Sequence, residues 1–158
     1  VAEALTRLET FREVEGQSMR TELIQQCDLL ASRLDQIELR APLVVATYST
    51  RLLERVREAI ATTDVSVSSS DLIREISIFA DRVDINEEIT RLRSHLSQFR
   101  TFLDEQTSEG RKLEFLGQEV FREINTIGSK GNDVEIAHHV VEMKAAVEKI
   151  REVLQNVE

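Results

Sequence analysis

A chain of 158 residues with one Cys, one Pro and five Gly is long enough to bury a core unaided, as one domain or two small helical units sharing a core, and it excludes a disulfide framework, a β-sandwich and a collagen-like or linker-like chain. The 20 basic and 29 acidic side chains leave a net charge of −9, which counts against binding a polyanion through Lys and Arg alone. A 4% aromatic content without Trp counts against a base-stacking sheet, and the absence of an 18-residue apolar run leaves nothing to span a membrane.

Leu23, Cys27, Leu30, Leu34, Ile37 and Ala41 recur at alternating steps of four and three, a heptad seam. Leu5, Leu8, Phe11 and Met19 extend it less strictly. The pattern predicts a helix from Ala2 to Arg40, with Cys27 as a small buried hydrophobe. Pro42 disfavours helix at Ala41 and suits the first turn of a new one. A second helix is therefore expected over 42–61, carried by Val45, Tyr48, Leu52, Val56 and Ala59 and folded back antiparallel on the first. The polar run 62–70 reads as a Ser-rich connector, dividing a helical hairpin over 1–61 from a helical domain over 71–158.

Asp71 or a preceding Ser caps the next helix. Its stripe Leu72, Ile76, Phe79, Val83 is out of phase with Ile85, Ile89, Leu92, Leu96, Phe99, Leu103. The helix thus kinks, changes partner or restarts at Asp84, with Glu87 in capping-box position. Thr107–Gly110 is a turn. Leu113, Leu116, Val120, Ile124 and Ile127 mark another helix, stopped at Gly128 before a tight loop to Asn132. Asp133 starts the last helix, whose seam runs from Ile136 to Val157. The expected fold is all-α: elongated antiparallel helical hairpins, about five helices in total.

Two polar stripes could carry chemistry. Asp81, Asp84, Glu88, Arg91 and His95 are spaced three, four, three, four, so one continuous helix would point them the same way. Carboxylates so placed are oxygen ligands for Mg²⁺ or Mn²⁺, whose bound water becomes a nucleophile near neutral pH. The Arg could hold a phosphate and the His move a proton. The same spacing suits a solvated face laced with ion pairs of about 0.2–0.5 kcal/mol each. Glu119, Glu123 and Thr126 form a similar stripe beside Gln118, Arg122 and Asn125. Ser129, Lys130 and Asn132 precede a helix N-terminus suited to an oxyanion, or simply connect two helices. His138 and Glu142 could share a transition metal, or His138 is simply a partly exposed residue on a helix. Walker A, HExxH, CxxC and nucleophile-elbow patterns are absent.

The stretch FADRVDINEEITRLRSHL, Phe79 to Leu96, and the segment from Gly110 to Glu158 beginning GRKLEFLGQEVFREINTIGSKGND resemble signatures of the bacterial YicC/YloC family. EALTRLETFREVEG near the start and YSTRLLERV at 48–56 are similar to weaker family segments. The resemblance covers essentially the whole chain, as the C-terminal half of a longer protein, which suits a chain that opens on Val1 without Met. It implies a cytoplasmic, divalent-metal-dependent endoribonuclease that cuts single-stranded RNA as a homo-oligomer, a hexamer whose helical arms close over RNA. Association with RNA-decay proteins is a further expected partnership.

Combining resemblance and chemistry, Asp81, Asp84, Glu88, Glu119 and Glu123 are the candidate metal ligands. His95, Glu119 and Glu123 are the candidate catalytic residues. Arg91, Arg93, Arg111, Arg122, Asn125, Lys130 and Asn132 are the candidate RNA-binding residues. A non-catalytic RNA clamp and an oligomerisation or adaptor module are the alternatives. Half of the negative excess lies in residues 62–110, with 5 basic and 10 acidic groups. Carboxylates that hold divalent cations stop repelling phosphate, so the acidity is compatible with a metal-dependent nuclease.

Overall fold

The structure, a computed structural model, describes residues 2–64, 66–105 and 110–155, with the side chain of Arg7 and side chains from residue 9 onward. Every regular element among them is α-helix: α1 (Ala2–Thr62), α2 (Ser69–Val83), α3 (Asn86–Asp104), α4 (Gly110–Lys130) and α5 (Val134–Gln155). The turn expected at Thr107–Gly110 falls mostly outside the described residues, as do the side chains of Leu5 and Leu8.

The helix expected to break at Pro42 does not break. α1 runs through it for 61 residues, about 90 Å at 1.5 Å per residue. A mid-helix proline forfeits one hydrogen bond and crowds a carbonyl, at about 3 kcal/mol. The seam nevertheless keeps its period across the proline, from buried Leu34 and Ile37 through Ala41 to buried Val44 and half-buried Tyr48. Pro42 itself faces solvent. Both sides of the proline are also held from outside. Arg40 binds Asp133 at the start of α5, and the Tyr48 ring stacks on Phe79 of α2 at 3.7 Å. Burying one Val and one aromatic ring yields about 1.5–3 kcal/mol each, enough to offset the proline. The antiparallel partner of 42–61 is therefore α2, and the fold-back of this segment on residues 2–40 does not occur.

α1, α3, α4 and α5 form a four-helix arrangement in which α1 packs on α3 and α5, and α4 packs on the same two. Ion pairs report the directions. Arg33–Glu142 and Arg40–Asp133 run oppositely along α1 and α5, and Arg20–Asp104, Arg100–Asp28 and Arg93–Asp35 do so along α1 and α3. α2 and α3 lie end to end along α1 as one interrupted helix. A single hydrophobic core takes Leu23, Cys27, Leu30, Leu34 and Ile37 from α1 together with the stripes of α3, α4 and α5. Cys27 is fully buried in it, and loss of solvation pushes its thiol up to about 11.

The interruption falls where the two stripes lose phase. Asp84 is extended at φ −65°, ψ 120° and Ile85 lies at φ −121°, ψ 13°. The helix restarts at once, with Asn86 N–H donating to Asp84 Oδ1 at 3.0 Å. Glu87 turns to Arg91 rather than back to the cap. Ser68 caps α2 by accepting from Asp71 N–H at 3.2 Å. α4 ends later than Gly128. Gly131 N–H still reaches Ile127 O at 2.8 Å, and the lack of a Cβ at Gly128 admits Val140 of α5, whose Cγ1 would lie 3.0 Å from one. The true stop is Gly131–Asn132. A Cβ on Gly131 would fall 2.7 Å from Ile136 Cγ2, and Asn132 takes the left-handed φ of 45°. Asp133 Oδ1 then accepts from Glu135 and Ile136 N–H at 3.0 and 3.1 Å, capping α5.

Candidate active site

The antiparallel pairing of α3 with α4 builds a row of charge into an otherwise apolar interface. As α3 advances from Glu88 through Arg91 to His95, its partners on α4 step back from Lys130 through Glu123 to Glu119. Glu88 and Glu123 are the buried charged residues of the described chain, at 3% and 4% exposure. Neither stands alone, as burial demands. Lys130 Nζ donates to Glu88 Oε1 at 2.9 Å, and Arg91 Nε donates to Glu123 Oε1 at 3.0 Å. Arg91 also lies 3.6 Å from Glu88 and pairs with Glu87. The hydrogen bond to Glu123, reinforced by the surrounding carboxylates, holds the Arg91 guanidinium above its ordinary range, so it stays charged. Lys130 reaches Glu88 because α4 continues past Gly128.

At the inner end of this row, His95, Glu119 and Glu123 each bring a ligand atom within 4.8 Å of the others. It is the only such group of three or more among the described residues. His95 Nδ1 and Glu88 Oε2 are buried and have no hydrogen-bond partner, an open demand for a donor, a proton or a cation. Glu87, Glu88, Glu119 and Glu123 face Arg91, Arg122 and Lys130, four carboxylates against three cations, so the row keeps one negative charge in excess. One imidazole nitrogen and two carboxylates fit a divalent cation that accepts mixed nitrogen and oxygen ligands. That favours Mn²⁺ over Mg²⁺, which prefers oxygen alone.

The remaining sequence candidates scatter. Asp81 and Asp84 do not join the cluster, because the break at Asp84–Ile85 rotates them out of phase with Glu88. They line a shallow cleft with Glu38, Pro42 and Val45 of α1, and Asp84 is spent on the α3 cap. Glu88 is engaged by Lys130 and Arg91 rather than grouped with the ligand atoms. Arg93, two residues from Arg91, points the other way and binds Asp35 and Glu38 of α1. Arg122 is 75% exposed and 3.7 Å from Glu119. Asn125 is half-buried on the face neighbouring this row, Asn132 forms the positive-φ turn, and Arg111 lies at the far end of the hairpin. His138 is exposed, and Glu142, four residues on, binds Arg33. Sequence reasoning missed Asp133 as the anchor of Arg40 and Arg91 as a tie between two buried carboxylates.

Residues 37–158 match the family model for the C-terminal region of YicC-like endoribonucleases. The chain belongs to this family. It is 39% identical over its whole length to a probable endoribonuclease YicC of Clostridioides difficile, covering 54% of that protein. It is 32% identical over 154 residues to a protein of the same name from Haemophilus influenzae, covering 52% of it. The chain thus spans about half the length of these curated relatives. The matched region of the family begins inside α1, close to Pro42, and takes in the whole α3–α4 row. No helix among the described residues is long and apolar enough to cross a membrane.

Proposed function

We propose that this chain carries the metal-assisted phosphodiesterase centre of an endoribonuclease acting on single-stranded RNA. The observation that supports this reading most is the convergence of His95, Glu119 and Glu123 within 4.8 Å beside an exposed arginine. A divalent cation held by those three would supply a water of lowered pKa and charge neutralisation at the phosphate. Glu123 is kept in place by Arg91, itself tied to Glu87 and Glu88, so the carboxylate enters the site pre-oriented. Lys130 balances Glu88 at the outer end of the row and is a positioning residue. Arg122, 75% exposed and held only at 3.7 Å from Glu119, is the group placed to grip a phosphodiester oxygen. His95, as the nitrogen ligand of that cation, would orient the bound water at the phosphate. The same reading carries a cytoplasmic setting, a homo-oligomer, hexameric in the family's full-length form, and contact with RNA-decay proteins.

The test is cleavage of single-stranded RNA by a full-length family protein carrying this chain, with Mn²⁺ or Mg²⁺ and with chelator. Glu119→Gln and Glu123→Gln are measured beside wild type. Loss of cleavage in chelator and in both variants, with helical content unchanged, is the expected result. Cleavage that survives chelation overturns the metal role. Cleavage that survives both substitutions makes this region a clamp or adaptor, with the chemistry elsewhere in the protein.

A further inference from the structure

Four residues before Glu119 on α4, about 6 Å along the helix at 1.5 Å per residue, Phe115 lines an apolar depression of about 330 Å³ together with Gln98, Phe102, Arg111, Lys112 and Leu116. Phe115 is 61% exposed. Phe102 is half-buried against the core, with the Lys112 ammonium 5.1 Å from its ring centre. In a chain of net charge −9, none of the residues lining this depression is acidic and two are cationic.

We propose that this depression is a nucleobase subsite of the neighbouring centre, an inference that rests on the nuclease reading above. The base of a nucleotide adjoining the cleaved phosphate stacks on the exposed Phe115 ring, with Phe102 as the floor. Arg111 and Lys112 meet the flanking backbone phosphates, and Gln98 offers an amide to the base edge. Three observations favour this occupant. The depression lies on the same two helices as the His95, Glu119 and Glu123 cluster, with Gln98 three residues beyond His95 on α3 and Phe115 four residues before Glu119 on α4. Its size, at the low end of ligand pockets, suits one ring system, whereas a docking helix needs a row of anchor pockets. Aromatic faces rimmed by cations are how single strands are held without sequence preference. The sequence hid this pairing because Phe102 and Phe115 lie on different helices.

The experiment measures binding of this chain to a short labelled oligouridylate and to a strand of the same length with abasic riboses. It does so for wild type, Phe115→Ala and Phe115→Trp, with circular dichroism to check folding. Cleavage by Glu119→Gln is assayed in parallel. Wild type is expected to bind the base-bearing strand about tenfold more tightly than the abasic one. Phe115→Ala should abolish that preference without changing abasic binding, and Phe115→Trp should restore it. Equal affinity of wild type for both strands, or a preference that persists in Phe115→Ala, overturns the subsite even when cleavage still depends on Glu119; a depression that takes an apolar protein segment gives that result. Failure to bind either strand, together with cleavage indifferent to Glu119→Gln, overturns the nuclease reading and the subsite with it.

Discussion

Arg91 and Arg93 stand two residues apart on α3, Arg91 pairing with Glu87, Glu88 and Glu123 and Arg93 with Asp35 and Glu38. The two arginines are almost equally exposed, at 41% and 43%, and it is their partners that differ. Arg93 binds Asp35 and Glu38, which remain 56% and 54% exposed. Arg91 binds Glu88 and Glu123, whose side chains are 5% exposed. In water the attraction between two charges is small and largely offset by ordering two long side chains. Between α3 and α4 the carboxylates have lost their solvation, so they depend on Arg91 and Lys130 for compensation. One face of α3 is therefore a solvated laced surface, the other a desolvated polar row.

The contrast can be broken in order of expected effect. Glu123→Gln in a full-length family protein should lower RNA cleavage about 10²-fold or more, as loss of an electrostatic catalytic group does, while the helical signal survives. Equal rates for wild type and variant in single-turnover cleavage would remove the catalytic half of the comparison. Arg91→Ala should lower the urea midpoint further than Arg93→Ala does, because it leaves buried Glu123 without its partner and buried Glu88 with Lys130 alone. A loss no larger than that of Arg93→Ala would show that burial does not separate the two faces.

Asp133 lies between these extremes. Its carboxyl is held below the ordinary range chiefly by the hydrogen bond from Arg40, and further by the N–H groups of Ile136 and Glu135, against the opposing cost of burial. A depressed native value means that the stabilisation is complete above the unfolded value near 4 and disappears as pH falls through the native one. Asp133→Ala should thus lose about 2 kcal/mol at pH 7, from cap and ion pair together. That difference should shrink toward zero in melts carried to strongly acidic pH. Arg93→Ala should change stability by less than about 0.5 kcal/mol, and 1 M salt should erase even that.

Much of the fold was legible in the chain. Seams at steps of three and four survive as the core of every helix, the loss of phase at Val83–Ile85 is the break between α2 and α3, and a Ser at the start of α2 and Asp133 at the start of α5 are caps in place. The failures share a cause. Pro42 and Gly128 are local breakers worth a few kcal/mol at most, and both were overruled by packing, of α5 and α2 around Pro42 and of Val140 against Gly128. The site was half legible. Glu119, Glu123 and His95 were candidates on chemical grounds. Asp81 and Asp84 were grouped with them by a spacing that holds only while the helix is continuous.

Sequence alone determined an all-α chain, its apolar seams, its caps and a pool of acidic and basic groups without a catalytic motif. It could do so because periodicity and capping are local properties of a few neighbouring residues. Tertiary structure decided which charges lose water. The acidic excess between residues 62 and 110 splits into carboxylates left in solvent, such as Asp81, and Glu88, buried with Glu123 of α4 against Arg91 and Lys130. Desolvation depends on what another helix lays across a side chain, and that is set by the antiparallel register of α3 and α4, which no local pattern encodes.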